Sequence, residues 1–127
     1  MKLVLGGYAQ GKLDYVLQKY GREACQIYDG EIPEHTEEQG KTVVMNHFHN
    51  WVKERMKNGG CPEKEIQLFL NRCQDCVVIS DEIGNGIVPM EAFEREYRER
   101  TGRILVELAK QAEEVERVIC GIGQRIK

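Results

Sequence analysis

The first dozen residues constrain this chain more than any other stretch. Lys2-Leu3-Val4-Leu5 is a short, mostly apolar run, Gly6-Gly7-Tyr8-Ala9-Gln10-Gly11 is bounded by glycine, and Lys12 leads into a helix-forming segment from Leu13 to Tyr20. Strand, glycine loop and helix in that order form the frame of a phosphate-binding loop, and Gly6, Gly11 and Lys12 stand at its spacing. In such a loop the glycines let backbone N–H groups curl around an anion, the positive end of the helix faces it, and the lysine adds a full charge. Gly6, Gly7, Tyr8, Ala9, Gln10, Gly11, Lys12 and Leu13 are therefore the candidate nucleotide-binding residues, with Lys12 the candidate catalytic cation. One position departs from the pattern. The residue after the lysine normally carries a hydroxyl that holds Mg²⁺, and Leu13 cannot ligate a metal, so nucleotide binding is better supported than metal-assisted phosphoryl transfer. A glycine turn that merely joins strand to helix fits the same residues.

The rest of the chain narrows the setting. At 127 residues it is long enough for one domain with a real core, covering 1–127, and short for a two-domain enzyme. Net charge is −3 and no lysine or arginine run stands out, which argues against a nucleic-acid partner. Lys2–Leu5 is too short for a signal segment and no apolar run approaches a membrane span, so a cytoplasmic protein is expected. Five cysteines fit reduced thiols better than a disulfide framework. Cys73-Gln-Asp-Cys76 has metal or redox spacing, but it is a lone pair and reads as buried or half-buried thiols.

Hydrophobic periodicity orders the remainder. Gly21 stops the first helix, and Ala24 to Tyr28 reads as a second strand. Residues 29–40 turn acidic and polar with one proline, the composition of a surface loop, in which His35 reads as a solvated side chain. Thr42-Val43-Val44-Met45 is a buried parallel strand ending at Asn46. A helix follows from Phe48 to Met56, closed by Asn58-Gly59-Gly60. His47 and His49 straddle its start and should face different directions. Pro62 opens another amphipathic helix through Arg72. Cys76 to Ser80 is the clearest buried strand, and it delivers Asp81 and Glu82 to its carboxyl end, where open α/β sheets bind ligands. Gly84-Asn85-Gly86 reads as a flexible crossing, residues 90–114 as one long helix with Gly102 as a kink point, and 116–127 as strand, glycine turn and closing strand. The expected fold is α/β, a three-layer phosphate-loop NTPase-like arrangement with an open, mainly parallel sheet and helices on both faces.

Three segments carry a resemblance to a known family. Ile79-Ser80-Asp81-Glu82-Ile83-Gly84-Asn85-Gly86-Ile87-Val88-Pro89, the helix through Tyr97-Arg98-Glu99-Arg100-Thr101-Gly102-Arg103, and the ending Cys120-Gly121-Ile122-Gly123-Gln124-Arg125-Ile126-Lys127 resemble adenosylcobinamide kinase/adenosylcobinamide-phosphate guanylyltransferase. The resemblance implies ATP or GTP at the glycine loop, adenosylcobinamide as phosphate acceptor, a role in cobalamin biosynthesis, and a small cyclic homo-oligomer. It also implies losses. Leu13 replaces the family's hydroxyl residue and Asn46 its carboxylate at the end of the central strand, which together weaken a Mg²⁺ site. Asp81 stands where the family has asparagine, and Leu105-Val106 where it has Asn-Gln. The segment that carries the family's guanylylated histidine is replaced by the acidic stretch 29–40, and His35 lacks the motif around that residue. The expectation is a nucleotide-binding relative without guanylyltransferase activity and with weakened or absent kinase activity. In the kinase reading Glu82, or secondarily Asp81, orients Mg²⁺ or the acceptor hydroxyl. In the alternatives the chain binds a nucleotide or corrinoid without turnover, or keeps the fold alone for interaction.

Overall fold

A computed structural model describes residues 1–34, 40–83 and 89–127. In chain order its elements are β1 (Lys2–Gly6), α1 (Lys12–Tyr20), β2 (Cys25–Asp29), β3 (Thr42–Asn46), α2 (Phe48–Lys57), α3 (Pro62–Arg72), β4 (Cys76–Asp81), α4 (Ala92–Gln111), β5 (Glu114–Ile119) and β6 (Ile122–Arg125). The strands form one sheet in the order β2-β3-β4-β1-β5-β6. Its first five members run parallel, and β6 folds back antiparallel on β5. This is the α/β, phosphate-loop NTPase-like fold that the alternation of strands and helices predicts.

Strand alternation divides the core between the two faces of the sheet. Leu3, Val43, Met45 and Val78 point to one side and pack with Phe48, Phe69 and Leu108 from α2, α3 and α4. Val4, Val44, Val77 and Ile79 point to the other, against Val16 and Leu17 of α1. Strands buried on both faces need unbroken apolar runs, which is why β3 and β4 read so plainly in the sequence.

Several boundaries differ from the periodicity. A 3-10 turn at Arg22–Ala24 precedes β2, which begins at Cys25. The long helix is shorter than its pattern, Ala92–Gln111 against 90–114, and runs through Gly102 as one element. It stops because Ala112 is extended and the Glu113 N–H donates to the Met1 carbonyl (2.9 Å), drawing the chain into the sheet. β5 therefore starts at Glu114, beside Lys2 and two residues earlier than expected. Cys76 is buried, its thiol pushed up to about 12 by burial, and all five thiols are free. His35 and the Gly84-Asn85-Gly86 crossing lie outside the described residues. Among the described residues no helix is long and apolar enough to cross a membrane.

Two contacts fix α4 across α2 and α3. The buried Tyr97 hydroxyl donates to the His49 carbonyl (3.1 Å), and Arg100 grips Glu63 with two hydrogen bonds of 2.9 and 2.8 Å. The guanidinium holds the Glu63 carboxyl down at about 2, against an ordinary 4.5. Because the folded value is the lower one, the stabilisation is present above the ordinary value and is lost as pH falls from 4.5 towards 2. The Glu63 side chain is 42% exposed, so screening limits the pair to about 1 kcal/mol or less. Glu63→Gln is accordingly expected to lower the urea midpoint at about pH 7. The difference from the parent chain should shrink as unfolding is repeated towards about pH 3. A gap that stays constant over that range would contradict the assignment.

Candidate functional site

The loop after β1 is shaped by its neighbours as much as by its glycines. A Cβ on Gly6 would lie 2.6 Å from the Val118 carbonyl oxygen and 3.2 Å from the Lys12 side chain, so only glycine fits between β5 and the lysine. Left-handed bends at Ala9 (φ 55°) and Gly11 (φ 80°) turn the chain from the strand into α1. Gln10 anchors the loop to the β5–β6 turn. Its carbonyl accepts from the Gly121 N–H, and its Oε1 accepts from the Cys120 N–H, both at 2.8 Å.

Lys12 is buried, with its ammonium 2.6 Å from the Gly7 carbonyl and 2.7 Å from Asp81 Oδ1. The parallel register places Gly6 beside Asp81, which is how β4 brings a carboxylate to the lysine. His49 backs that carboxylate. Its Nδ1 accepts the Asp81 backbone N–H (3.1 Å), so the neutral ring carries its proton on Nε2, 3.4 Å from Asp81 Oδ2. Burial pushes His49 below the ordinary imidazole range while the Asp81 charge opposes the shift, so the ring is neutral near pH 7.

A second group stands at the ends of β2 and β3, where the register puts Asp29 beside Asn46. The Asn46 amide donates to Asp29 Oδ1 (3.1 Å), and His47 Nδ1 lies 2.5 Å from the same oxygen. His47 is the N-cap of α2 and adopts a left-handed backbone, φ 53°. Its ring meets that of His49 edge-on at 5.8 Å. The two histidines do engage different partners, but their rings come close, because His47 lies outside the helix whose geometry was expected to separate them.

These groups surround a cavity of about 350 Å³ lined by Tyr8 to Asp14 with Asn46, His47 and Asp81. Gly6 and Gly7 are not among its lining residues. Leu13 also packs its side chain partly against the Val16 cluster under α1. Glu82 is elsewhere: the Arg117 guanidinium holds its two oxygens at 2.6 and 3.2 Å, and it is not among the lining residues. Asp29, His47 and His49 are the members that sequence reasoning did not assemble. Asn-His-Phe-His directly after a β-branched strand was the available signal, but Asp29 joins it only once β2 and β3 are paired.

The donor set does not fit a protein-held Mg²⁺. Leu13 offers carbon, Asn46 only an uncharged amide, Asp29 serves Asn46 and His47, Asp81 serves Lys12 and His49, and Glu82 serves Arg117. Among the described residues no three His, Cys, Asp or Glu side chains are grouped to hold a metal.

Compared with known proteins, residues 21–126 match the family model for cobinamide kinase / cobinamide phosphate guanyltransferase, a stretch that begins beyond the glycine loop. The bifunctional adenosylcobalamin biosynthesis protein CobU of Salmonella typhimurium (strain LT2) is 41% identical over 69 residues, 51% of this chain and 38% of that protein. The protein of the same name from Escherichia coli (strain K12) is 42% identical over 67 residues, 50% of this chain and 37% of its own length. The aligned stretch thus spans less than two fifths of either relative.

The packing at the loop has a direct test. Gly6→Ala must displace the Val118 carbonyl or the lysine stem, and is expected to destabilise the fold by about 1–3 kcal/mol. Urea unfolding would measure this, and an unchanged midpoint would show that the loop and β5 are not in contact.

Proposed function

This chain belongs to the cobinamide kinase / cobinamide phosphate guanyltransferase family, and from that premise we propose that residues 1–127 form one domain that binds ATP or GTP at Gly6–Leu13. In this reading it transfers the terminal phosphoryl group only weakly, to the hydroxyl of adenosylcobinamide, in a cytoplasmic setting and as a homo-oligomer. The observation that carries the reading is the cavity lined by both Lys12 and Asp81, whose ammonium and carboxylate pair at 2.7 Å. An ammonium has three N–H donors. Asp81 and Gly7 take two of them, which leaves one for a phosphate oxygen. The first turn of α1 adds to this. It has no side-chain cap, and its first intrahelical bond is Tyr15 N–H to the Gly11 carbonyl, so the amides of Lys12, Leu13 and Asp14 have no helical acceptor.

Weak transfer follows from the same geometry. Asp81 neutralises the lysine, and Leu13 and Asn46 add no charge that would stabilise the developing transition state. Guanylyl transfer is not proposed, since the sequence 29–40 supplies acidic groups where a phosphate would need basic ones. Glu82, clamped by Arg117, keeps at most an indirect role in holding the strand end. A second reading, nucleotide or corrinoid binding without turnover, is favoured by that neutralised lysine.

Calorimetric titration with ATP and with GTP, with and without Mg²⁺, tests the proposal. Saturable binding is expected, with a Kd that changes by less than about threefold when the metal is removed. Lys12→Ala should weaken binding by at least about tenfold, roughly 1.4 kcal/mol. Asp81→Asn should tighten it, because it removes the anion that competes with phosphate. No binding of either nucleotide at millimolar concentration would overturn the reading. Labelled phosphate appearing on adenosylcobinamide would decide for the kinase against the silent binder.

A further inference from the structure

His47 holds a conformation that the turn alone does not require. A left-handed backbone is disfavoured at a residue with a side chain, and glycine or asparagine would make the same exit from β3 at less cost. The ring is no core residue, being 45% exposed and absent from both apolar clusters. It lines the cavity shared with Lys12, and Asp29 stands behind it with Oδ1 2.5 Å from Nδ1. Asn46 donates to that same oxygen, which fixes the carboxylate in place. The Asn46 amide nitrogen also lies 3.3 Å from Nδ1, but a carboxylate oxygen at 2.5 Å can only accept, which assigns the Nδ1 proton to Asp29 and, in the neutral form of the ring, the lone pair to Nε2.

Resting on the nucleotide-binding reading, we infer that His47, oriented by Asp29 and Asn46, is the general base that takes the proton from the attacking hydroxyl. The contrast with His49 supports the assignment. That ring is buried, spends its Nδ1 lone pair on the Asp81 N–H and turns its Nε2 proton to the Asp81 carboxylate, so it has no lone pair to give. His47 has the reverse tautomer. A carboxylate hydrogen-bonded to Nδ1–H sets the far nitrogen up to accept a proton and stabilises the imidazolium that results.

The step balances within the two substrates and the ring. The acceptor O–H gives its proton to His47 Nε2, and the oxygen lone pair forms a bond to the terminal phosphorus of the nucleoside triphosphate. The bond from that phosphorus to the bridging oxygen breaks, and its electron pair leaves on the nucleoside diphosphate. The imidazolium afterwards loses its proton to solvent.

The experiment measures nucleotide affinity and phosphoryl transfer separately, using ATP and GTP labelled at the terminal phosphate with adenosylcobinamide as acceptor. His47→Asn is expected to lower kcat by about 10²–10³-fold while leaving nucleotide Kd within about threefold. Asp29→Asn should lower kcat by about tenfold, and thermal melts confirm that both variants fold. If His47→Asn keeps more than a third of the parent kcat, the inference falls. If the parent chain binds nucleotide but transfers nothing to adenosylcobinamide or water, the inference falls and the binding reading stands. If the parent chain binds no nucleotide, both fall. Nitrogen-15 NMR of the parent chain needs no variant: the Nδ1–H tautomer is expected for the neutral form of the His47 ring, and the Nε2–H tautomer would overturn the assignment.

Discussion

A buried ammonium has to be answered by a carboxylate, and much of this molecule is arranged around the answer. Lys12 is withdrawn from water, and an isolated charge there would cost several kcal/mol. Asp81 reaches it because β4 lies beside β1 in a register that ends with Gly6 against Asp81. The carboxylate is held in turn by His49, whose backbone carbonyl accepts the Tyr97 hydroxyl from α4. Loop, central strands and two helices are thus joined through one ion pair. The pair has an electrostatic consequence too: as a unit it is neutral, so under the proposed function an anion in the cavity would rely mainly on the amides of the first turn of α1, with the lysine lending one remaining donor.

Sequence periodicity reached the elements whose burial is two-sided or whose ends carry their own stop signals. Cys76–Ser80 could only be an interior strand, Pro62 could only open a helix, and Gly21, with φ 89°, ends α1 as expected. The misses have a common physical form, since each depends on a partner far away in the chain. The end of α4 is set by the bond between Glu113 and Met1, which no local pattern encodes. Asp81 and Glu82 look equivalent as neighbours at a strand end, yet alternation sends one to Lys12 and the other to Arg117 on β5. Asp29 reads as the first residue of a polar loop and becomes a partner of His47 only through the β2–β3 register. The glycine loop was legible as a loop, but the clamp of Gln10 on residues 120 and 121 was not.

The retained glycines are weaker testimony to a ligand than they look. Gly6 is demanded by the Val118 carbonyl, and Gly11 by its own left-handed turn, whether or not an anion is ever bound. Lys12 is different. The pair joins loop, strands and helices here, yet a buried ion pair is commonly matched or bettered in stability by apolar side chains of similar volume, so packing alone does not demand a charge. A paired ammonium with one donor left over, beside uncapped amides and a histidine in a left-handed backbone, is therefore the part of the cavity on which the proposed nucleotide binding rests. On the proposed reading, with Leu13 and Asn46 in place, charge on a transferring group would be met by hydrogen-bond donors of the protein more than by a cation that the protein holds.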